Sequence, residues 1–176
     1  MGISVKRLRE NDWQELRSMR LKALESDPSV FGSHYEKESA LTEAEWRSWL
    51  QTDNDAATFV LYEDDVPVGM TGIGVDREDP TKKRAVLWGS WLEPRVRGKG
   101  LSNIMYAERI AWAKQHPTIE TIVVSHRASN AASKRAILKH GFIPTHNVEE
   151  VWPDGTREER VSYALAVKSP GHQEIS

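Results

Sequence analysis

A short glycine-rich segment with two cations is the part of this sequence best suited to bind a ligand. It spans residues 97–100 and reads Arg-Gly-Lys-Gly, between a run of strand-forming residues and a helical apolar pattern that begins at Leu101. Glycines let a backbone come close to a ligand, and a helix start presents unpaired N–H groups and a positive dipole end. The segment therefore predicts a site for a phosphate or pyrophosphate.

The segment matches neither of the two common phosphate-binding loops. A P-loop needs Gly-Lys followed by Ser or Thr, but here Gly100 is followed by Leu101. A dinucleotide-binding fingerprint needs a third glycine and an acidic residue about 20 positions later, and both are missing. Another phosphate-binding class is required.

A second group of residues stands further along the chain. A short apolar strand, predicted from Ile119 to Ser125, leads to Asn130, a helix from Ala131 to His140, and the pair Gly141-Phe142. Asn is a favourable helix N-cap, because its side-chain oxygen accepts a backbone N–H of the first turn.

Together the two groups resemble the GNAT family of N-acetyltransferases. In that family Gln or Arg, two residues, Gly, one residue, and Gly or Ala form the acetyl-CoA-binding turn. Arg97, Gly100 and Ser102 occupy these positions here, with Ser102 replacing the expected Gly or Ala. The second signature is Asn130 with Gly141-Phe142, and the resemblance covers about Thr58 to Val167.

The resemblance implies an α/β fold of the α+β type. We expect a single GNAT-like domain over residues 1–168, with a central mixed, mainly antiparallel sheet of about seven strands, flanking helices and a splayed CoA-binding cleft. Residues 169–176 are expected to form a frayed tail. The residues implied for binding acetyl-CoA are Ser90, Trp91, Leu92, Arg97, Gly98, Lys99, Gly100, Leu101, Ser102, Asn130 and Ser133.

The resemblance also implies a reaction. It is transfer of an acetyl group from acetyl-CoA to a primary amine of a small molecule or a peptide N-terminus. With no cysteine in the chain, a cysteinyl intermediate is impossible, so we expect direct attack of the amine. The alternative is a non-catalytic acyl-CoA-binding regulatory module, because Ile137 stands where many members carry the Tyr that protonates the leaving thiolate, and Ser125 where some carry Glu.

The motif does not supply the general base. Four candidates remain open: Glu93, His126, Glu36 and His34. The last two belong to a polar loop, Val30 to Ser39, which in the family helps to form the acceptor pocket, with Phe31 and Tyr35 as walls. The missing acid has three possible replacements: Tyr106, Tyr163 and Ser133.

Charge is divided along the chain although the net charge is only −2. Residues 25–79 hold 14 acidic and three basic residues, whereas residues 80–140 hold 12 basic and three acidic ones. Either the two blocks are solvated surface, or the basic block serves an anionic ligand and the acidic block attracts a cationic acceptor. A near-neutral total argues against a nucleic-acid partner.

Length and composition set further bounds. The 176 residues suit one domain. No apolar run is long enough to cross a bilayer, so we expect a cytoplasmic protein with no membrane partner. The scattered histidines lack metal-ligand spacing, so no metal is expected. A monomer and a homodimer are both compatible with the sequence.

The elements that must position these residues follow from periodicity and capping. A capping box of Asn11 and Gln14 predicts a first helix up to Asp27-Pro28, and Thr42 with Glu45 predicts a second, to about Thr52. Strands are predicted by period-two runs. Their ranges are Thr58 to Tyr62, Val66 to Val75, Arg84 to Leu92, Asn147 to Trp152 and Arg157 to Val167.

Overall fold

The computed structural model describes residues 2–28, 34–51 and 54–168. Within these ranges the strands are β1 (Ile3–Arg7), β2 (Ala56–Glu63), β3 (Val66–Val75), β4 (Arg84–Leu92), β5 (Thr121–Arg127), β6 (Ile143–Val151) and β7 (Arg157–Ala166). The helices are α1 (Trp13–Ser26), α2 (Tyr35–Ser39), α3 (Glu43–Leu50), α4 (Leu101–Gln115) and α5 (Ala131–Lys139). Phe31 and the predicted tail, 169–176, lie outside the described residues.

The seven strands form one mixed sheet in the order β1-β2-β3-β4-β5-β7-β6. Every neighbouring pair is antiparallel except β4 and β5, which are parallel and joined by α4. A parallel pair needs such a crossover, because the chain must return to the starting edge. The predicted mixed, mainly antiparallel sheet with flanking helices is confirmed.

Two main apolar clusters cover the two faces of the sheet. On one face, α1 and α3 contribute Leu16 and Trp46 to a cluster with Val60 and Met70. On the other face, helix residues such as Ala113 and Ile137 pack with sheet residues that include Ile73, Ile122 and Tyr163. The sheet is therefore buried between two helical layers, as in other α/β domains.

Of the two predicted capping boxes, the N-cap contact of Thr42 is confirmed. Thr42 Oγ1 accepts the N–H of Glu45 at 3.2 Å at the start of α3. The box of Asn11 and Gln14 is wrong: a 3₁₀ turn precedes α1, and the Asp12 carboxylate accepts the N–H of Arg9 at 2.8 Å. Asp and Asn both suit such positions, so the residue types alone do not decide between neighbours.

Three sequence-based assignments need correction. The predicted polar loop up to Ser39 contains the short helix α2. β1, which pairs with β2 from Ile3 to Arg7, is not among the predicted strands. β6 begins at Ile143, four residues before the predicted start at Asn147. Proline is unusual in strands, so Pro144 argues against a strand at this position in the sequence. An edge strand nevertheless tolerates proline, because one side of its backbone faces no neighbouring strand.

Candidate functional site

The site is a gap in the sheet between β4 and β5. These strands pair at three positions, of which Val86 with Val123 is the last. β4 nevertheless continues to Leu92 and β5 to Arg127. Where parallel strands stop pairing, their backbone groups and side chains line an opening that a ligand can fill. This is the splayed cleft that the sequence predicts.

A bulge in β4 lies beside this gap. The register shifts between Gly72 and Met70 of β3, so Thr71 faces both Gly89 and Ser90. Gly89 has a φ of +64°, which glycine adopts without strain. The hydroxyls of Ser90 and Thr71 are hydrogen-bonded at 2.8 Å. Bulges re-aim side chains next to functional sites, and this one turns Ser90 into the cleft.

The glycine-rich turn leads from the end of β4 into α4. Gly98 and Gly100 have φ angles of +76° and +82°, and Gly100 is the N-cap of α4. A side chain at Gly98 would meet nothing within 4 Å, and one at Gly100 would meet the Asn103 amide at 3.6 Å. The backbone of the turn therefore borders open space, as anion binding at a helix start requires.

Arg97 is held by the fold. Its Nη2 donates to Asp27 Oδ2 at 2.7 Å, and its Nε donates to the carbonyl of Leu92 at 2.9 Å. The same Asp27 oxygen accepts the indole N–H of Trp91 at 2.7 Å. Arg97 thus ties the turn to the end of α1 and to β4. Lys99 is exposed.

A cavity of about 500 Å³, here called the outer cavity, lies between this turn, β4 and the start of α5. It brings together every predicted acetyl-CoA-binding residue except Lys99. These lining residues are Ser90, Trp91, Leu92, Arg97, Gly98, Gly100, Leu101, Ser102, Asn130 and Ser133. Asn130 Oδ1 accepts the N–H of Ser133 at 3.1 Å, so Asn130 also caps α5 as predicted.

A second cavity of about 380 Å³, the inner cavity, adjoins the first. Both are lined by Ser90, Tyr106, Asn130 and Ser133. The inner cavity then extends to His126 and to the other end of the β4–β5 gap. The cleft therefore runs from the glycine-rich turn past Ser90 into a separate compartment that a second reactant could occupy.

The charged lining of the inner cavity is basic. Among the described residues it contains Arg20, Arg109, Arg127 and Arg160, and no Asp or Glu. None of these arginines is among the site residues that the sequence predicts. Arg109 carried one usable signal, since it follows Met105 by four residues and so falls on the apolar stripe of α4.

Arg109 is a buried cation beside Ser90. It is 1% exposed, its Nη1 donates to Ser90 Oγ at 2.9 Å, and its Nε donates to the carbonyl of Met105 at 3.1 Å. Nη2 has no hydrogen-bond partner, and no carboxylate of the described residues forms an ion pair with this side chain. Burial lowers the pKa of Arg109 to about 10, so it remains positively charged at neutral pH.

His126 is the one predicted base candidate in the lining of the cleft. Its Nδ1 contacts the backbone carbonyl of Arg127, and its Nε2 lies 2.8 Å from the hydroxyl of Tyr163. A carbonyl only accepts, so this network assigns the hydrogen to Nδ1 and makes Nε2 the acceptor of the Tyr163 O–H. Both ring nitrogens are engaged.

The other three base candidates lie away from both cavities. Glu93 is placed between two cations, with Lys22 Nζ and Arg95 Nε each 3.5 Å from its carboxylate. His34 and Glu36 are exposed at the start of α2. None of the three lines the outer or the inner cavity.

Two of the three candidates for the missing general acid line the cleft, and the third does not. Tyr106 and Ser133 line both cavities, whereas the Tyr163 hydroxyl is bound to His126. Burial raises the pKa of Tyr106, although the nearby Arg109 opposes this shift, so the phenol keeps its proton at neutral pH. Ile137 is 1% exposed and packs in the core at the edge of the inner cavity.

Most of the described acidic residues between positions 25 and 79 lie outside the cleft. Asp27 is the one that lines either cavity among the described residues, and it binds Arg97. Glu38 is buried against Arg20. A third cavity of about 850 Å³ borders Asp55 and Asp76, which pair with Lys82 and Arg84. The described acidic residues of this block therefore form no negatively charged wall of the cleft.

Residues 2–28, 34–51 and 54–168 contain no group of three or more His, Asp or Glu side chains placed to hold a metal ion. No helix within them is both long and apolar enough to cross a membrane.

Solved structures share this architecture. A GNAT-family acetyltransferase of Streptococcus pneumoniae superposes with a TM-score of 0.82 at 17% identity, over 95% of this chain and 100% of the other. The protein yncA of Salmonella typhimurium, a candidate acetyltransferase in complex with its cofactor acetyl-CoA, gives 0.81 at 16% identity over 100% of both chains. A ribosomal-protein-alanine N-acetyltransferase of Brucella melitensis gives 0.76 at 18% identity, over 93% and 99%.

These identities are low, so the superpositions establish the fold alone. A search of curated protein sequences finds no significant match. A sequence model of the acetyltransferase (GNAT) family, however, matches residues 13–142. That range runs from the start of α1 to Phe142 and includes the glycine-rich turn, the β4–β5 gap and Asn130. The chain belongs to the acetyltransferase (GNAT) family.

Proposed function

We propose that this protein transfers the acetyl group of acetyl-CoA to a primary amine, of a small molecule or a peptide N-terminus, by direct attack. The observation that carries the proposal is the β4–β5 gap, which joins the glycine-rich turn to the inner cavity. The two compartments can hold a cofactor and an acceptor at the same time. Holding both reactants in one orientation lowers the entropic part of the barrier.

Acetyl-CoA would occupy the outer cavity. Its pyrophosphate would accept hydrogen bonds from the backbone N–H groups of residues 97–102, at the positive end of α4. The pantetheine arm would then pass Asn130 and Ser133, bringing the thioester to Ser90, where the outer and inner cavities adjoin. The acetyl-CoA in yncA, which has the same fold, supports this assignment.

The acceptor must lose a proton before it attacks, because an alkyl amine has a pKa near 10.4. Arg109, a buried arginine that pairs with no carboxylate of the described residues, lowers the pKa of an ammonium group bound beside it, since like charges disfavour the cation. Three of the predicted bases are remote, and both nitrogens of His126 are occupied. We therefore assign the proton to water rather than to a side chain.

Two side chains at the junction have properties that suit the remaining steps. Arg109 places a buried positive charge beside Ser90, where negative charge would develop on the thioester oxygen. Fixed charges in a water-poor site stabilise such a transition state. Tyr106 lines both cavities as a neutral phenol, and it would protonate the departing thiolate in place of the family's tyrosine at position 137.

The experiment is to measure free thiol with a panel of primary amines, beside direct binding of acetyl-CoA, and to identify the product by mass spectrometry. Amine-dependent thiol release with an N-acetylated product supports the proposal. Binding of acetyl-CoA with no amine-dependent thiol release would identify a regulatory acyl-CoA-binding module instead. Absence of binding would overturn the assignment of the outer cavity.

A further inference from the structure

The side chain of Arg127 has hydrogen-bond donors that indicate which kind of substrate accepts the acetyl group. This side chain lines the inner cavity and is 7% exposed. Its Nη1 donates to Asp154 Oδ2 at 3.0 Å and lies 3.8 Å from Glu158. Its Nε and Nη2 are buried and have no hydrogen-bond partner among the residues that the structure describes. These two N–H groups form one edge of the guanidinium plane, the edge that binds both oxygens of a carboxylate.

Arg20 lines the same cavity, and the corresponding edge of its guanidinium group binds a carboxylate. Its Nε donates to Glu38 Oε1 at 2.8 Å and its Nη2 donates to Oε2 at 3.1 Å. Arg127 presents the same two donors with nothing bound to them. Buried N–H groups without partners are costly, so the empty edge indicates a missing acceptor of similar geometry.

A second arginine and an aromatic ring lie beside Arg127, in addition to the carboxylates of Asp154 and Glu158. Arg127 and Arg160 are directly opposite on β5 and β7, and opposite residues of an antiparallel pair project to the same face. Both guanidinium groups lie over the ring of Trp152, at 4.4 Å and 5.8 Å from its centroid. A cation–π contact uses no N–H hydrogen bond, so the contact with Trp152 leaves the Nε and Nη2 donors of Arg127 unsatisfied.

Arg127 also projects to the face of the sheet opposite the outer cavity. Ile122 of β5 packs in the cluster that includes Ala113 of α4 and Ile137 of α5. Side chains alternate along a strand, so Arg127 points to the other face, which α1 covers and from which Arg20 reaches the inner cavity. A molecule bound by Arg127 therefore meets the β4–β5 gap from the side away from the glycine-rich turn.

We propose that the acceptor is an amine that also carries a carboxylate, an amino-acid-like small molecule, and that the Nε and Nη2 of Arg127 bind this carboxylate. This rests on the proposed function and replaces its open choice of acceptor. A peptide N-terminus fits less well, since its α-carboxyl is tied up in a peptide bond. The cationic acceptor that the acidic block suggests is disfavoured, because no described Asp or Glu lines the inner cavity and one of its arginines, Arg109, has no carboxylate partner among the described residues.

The test compares each amino acid of a panel with its own α-carboxamide, measured as thiol release from acetyl-CoA. The amide keeps the amine and the side chain but removes the negative charge. Wild-type protein is expected to prefer the acid by about tenfold or more in kcat/KM, the size of a charge-assisted hydrogen-bonded contact.

Three variants locate the effect. Arg127→Gln should lower kcat/KM for the acid about tenfold or more while leaving the value for the amide within about twofold. Arg127→Lys keeps the charge but loses the paired donors, so it should fall between. Arg157→Gln is the matched control: Arg157 pairs with Glu149, and its side chain is 71% exposed, so this variant should keep the wild-type ratio of acid to amide.

The outcomes separate this inference from the proposed function. If amides are acetylated as well as acids, or if Arg127→Gln lowers both equally with acetyl-CoA binding intact, the carboxylate contact is refuted and the enzyme assignment stands. If no amine of either kind releases thiol, the proposed function itself fails. Unchanged acetyl-CoA binding and unchanged activity on the amide together show that a variant is folded.

Discussion

The side-chain oxygen of Asn130 accepts the N–H of Ser133 at 3.1 Å, at the point where Asn130 lines both cavities. One residue therefore has two separable roles, as the N-cap of α5 and as a wall of the cleft. The cap needs a short side-chain oxygen acceptor, whereas a contact with the cofactor would use the rest of the amide group.

Asn130→Ala should lower the free energy of unfolding by about 1 kcal/mol and raise the KM for acetyl-CoA. Asn130→Ser is the control, because a serine hydroxyl also caps a helix but lacks the amide NH₂. We expect Asn130→Ser to unfold like the wild type and still to turn over more slowly. Recovery of full turnover with serine would mean that Asn130 is only a cap.

Gly100→Asp should abolish measurable binding of acetyl-CoA, because it adds a negative charge at the N-cap of α4 where the pyrophosphate is expected. Gly100→Asn has nearly the same size without the charge, and Asn and Asp both tolerate the left-handed φ of +82° at this position. We expect the affinity of the Asn variant to fall less, by calorimetric titration. Equal affinities of folded Asp and Asn variants would remove the pyrophosphate from this turn.

Most of the residues that line the outer cavity are among those that the sequence predicts for a site, whereas the arginines that line the inner cavity are not. The residues at 97–102 and Asn130 act through local geometry, a glycine turn at a helix start and an N-cap, which sequence spacing encodes directly. Arg20, Arg109, Arg127 and Arg160 come from α1, α4, β5 and β7. Only the tertiary fold brings these four side chains into one cavity, so no local sequence pattern predicts that they lie together.

The weakness of local patterns also explains why β1 is not predicted and why the predicted start of β6 is too late. β1 and β6 are both edge strands. β1 has only five residues, too few for a clear period-two signal, and β6 is mostly exposed and contains a proline near its start. For β4, which lies inside the sheet, the predicted and observed bounds agree at Arg84–Leu92. An interior strand such as β4 has more buried apolar residues than the edge strand β6, and buried apolar residues are what the sequence pattern indicates.

Tyr106→Phe should lower kcat about tenfold, the low end of general acid catalysis, because a thiol with a pKa near 8.5 is already a fair leaving group. Burial raises the pKa of Tyr106 above its usual value of 10.0. The phenol donates below its folded pKa and loses its proton above it, so the effect should be constant between about pH 6 and pH 9. A defect that appears only above pH 7 would exclude Tyr106 as the acid.

Arg109→Met should lower kcat about tenfold or more, because it removes the buried charge beside Ser90. Its stability should be equal to or greater than that of the wild type, since a buried cation without a carboxylate partner costs several kcal/mol. Thermal unfolding and steady-state rates on the same preparations check both halves. A marked loss of stability with unchanged kcat would make Arg109 a structural residue.

Direct transfer requires acetyl-CoA and the amine to occupy the cleft together, one on each side of Ser90. Initial rates measured over a grid of both concentrations test this most directly, with mass spectrometry of the protein after exposure to acetyl-CoA alone. We predict intersecting double-reciprocal lines and no acetylated protein. Parallel lines, together with an acetyl group covalently bound to the chain, would contradict direct attack.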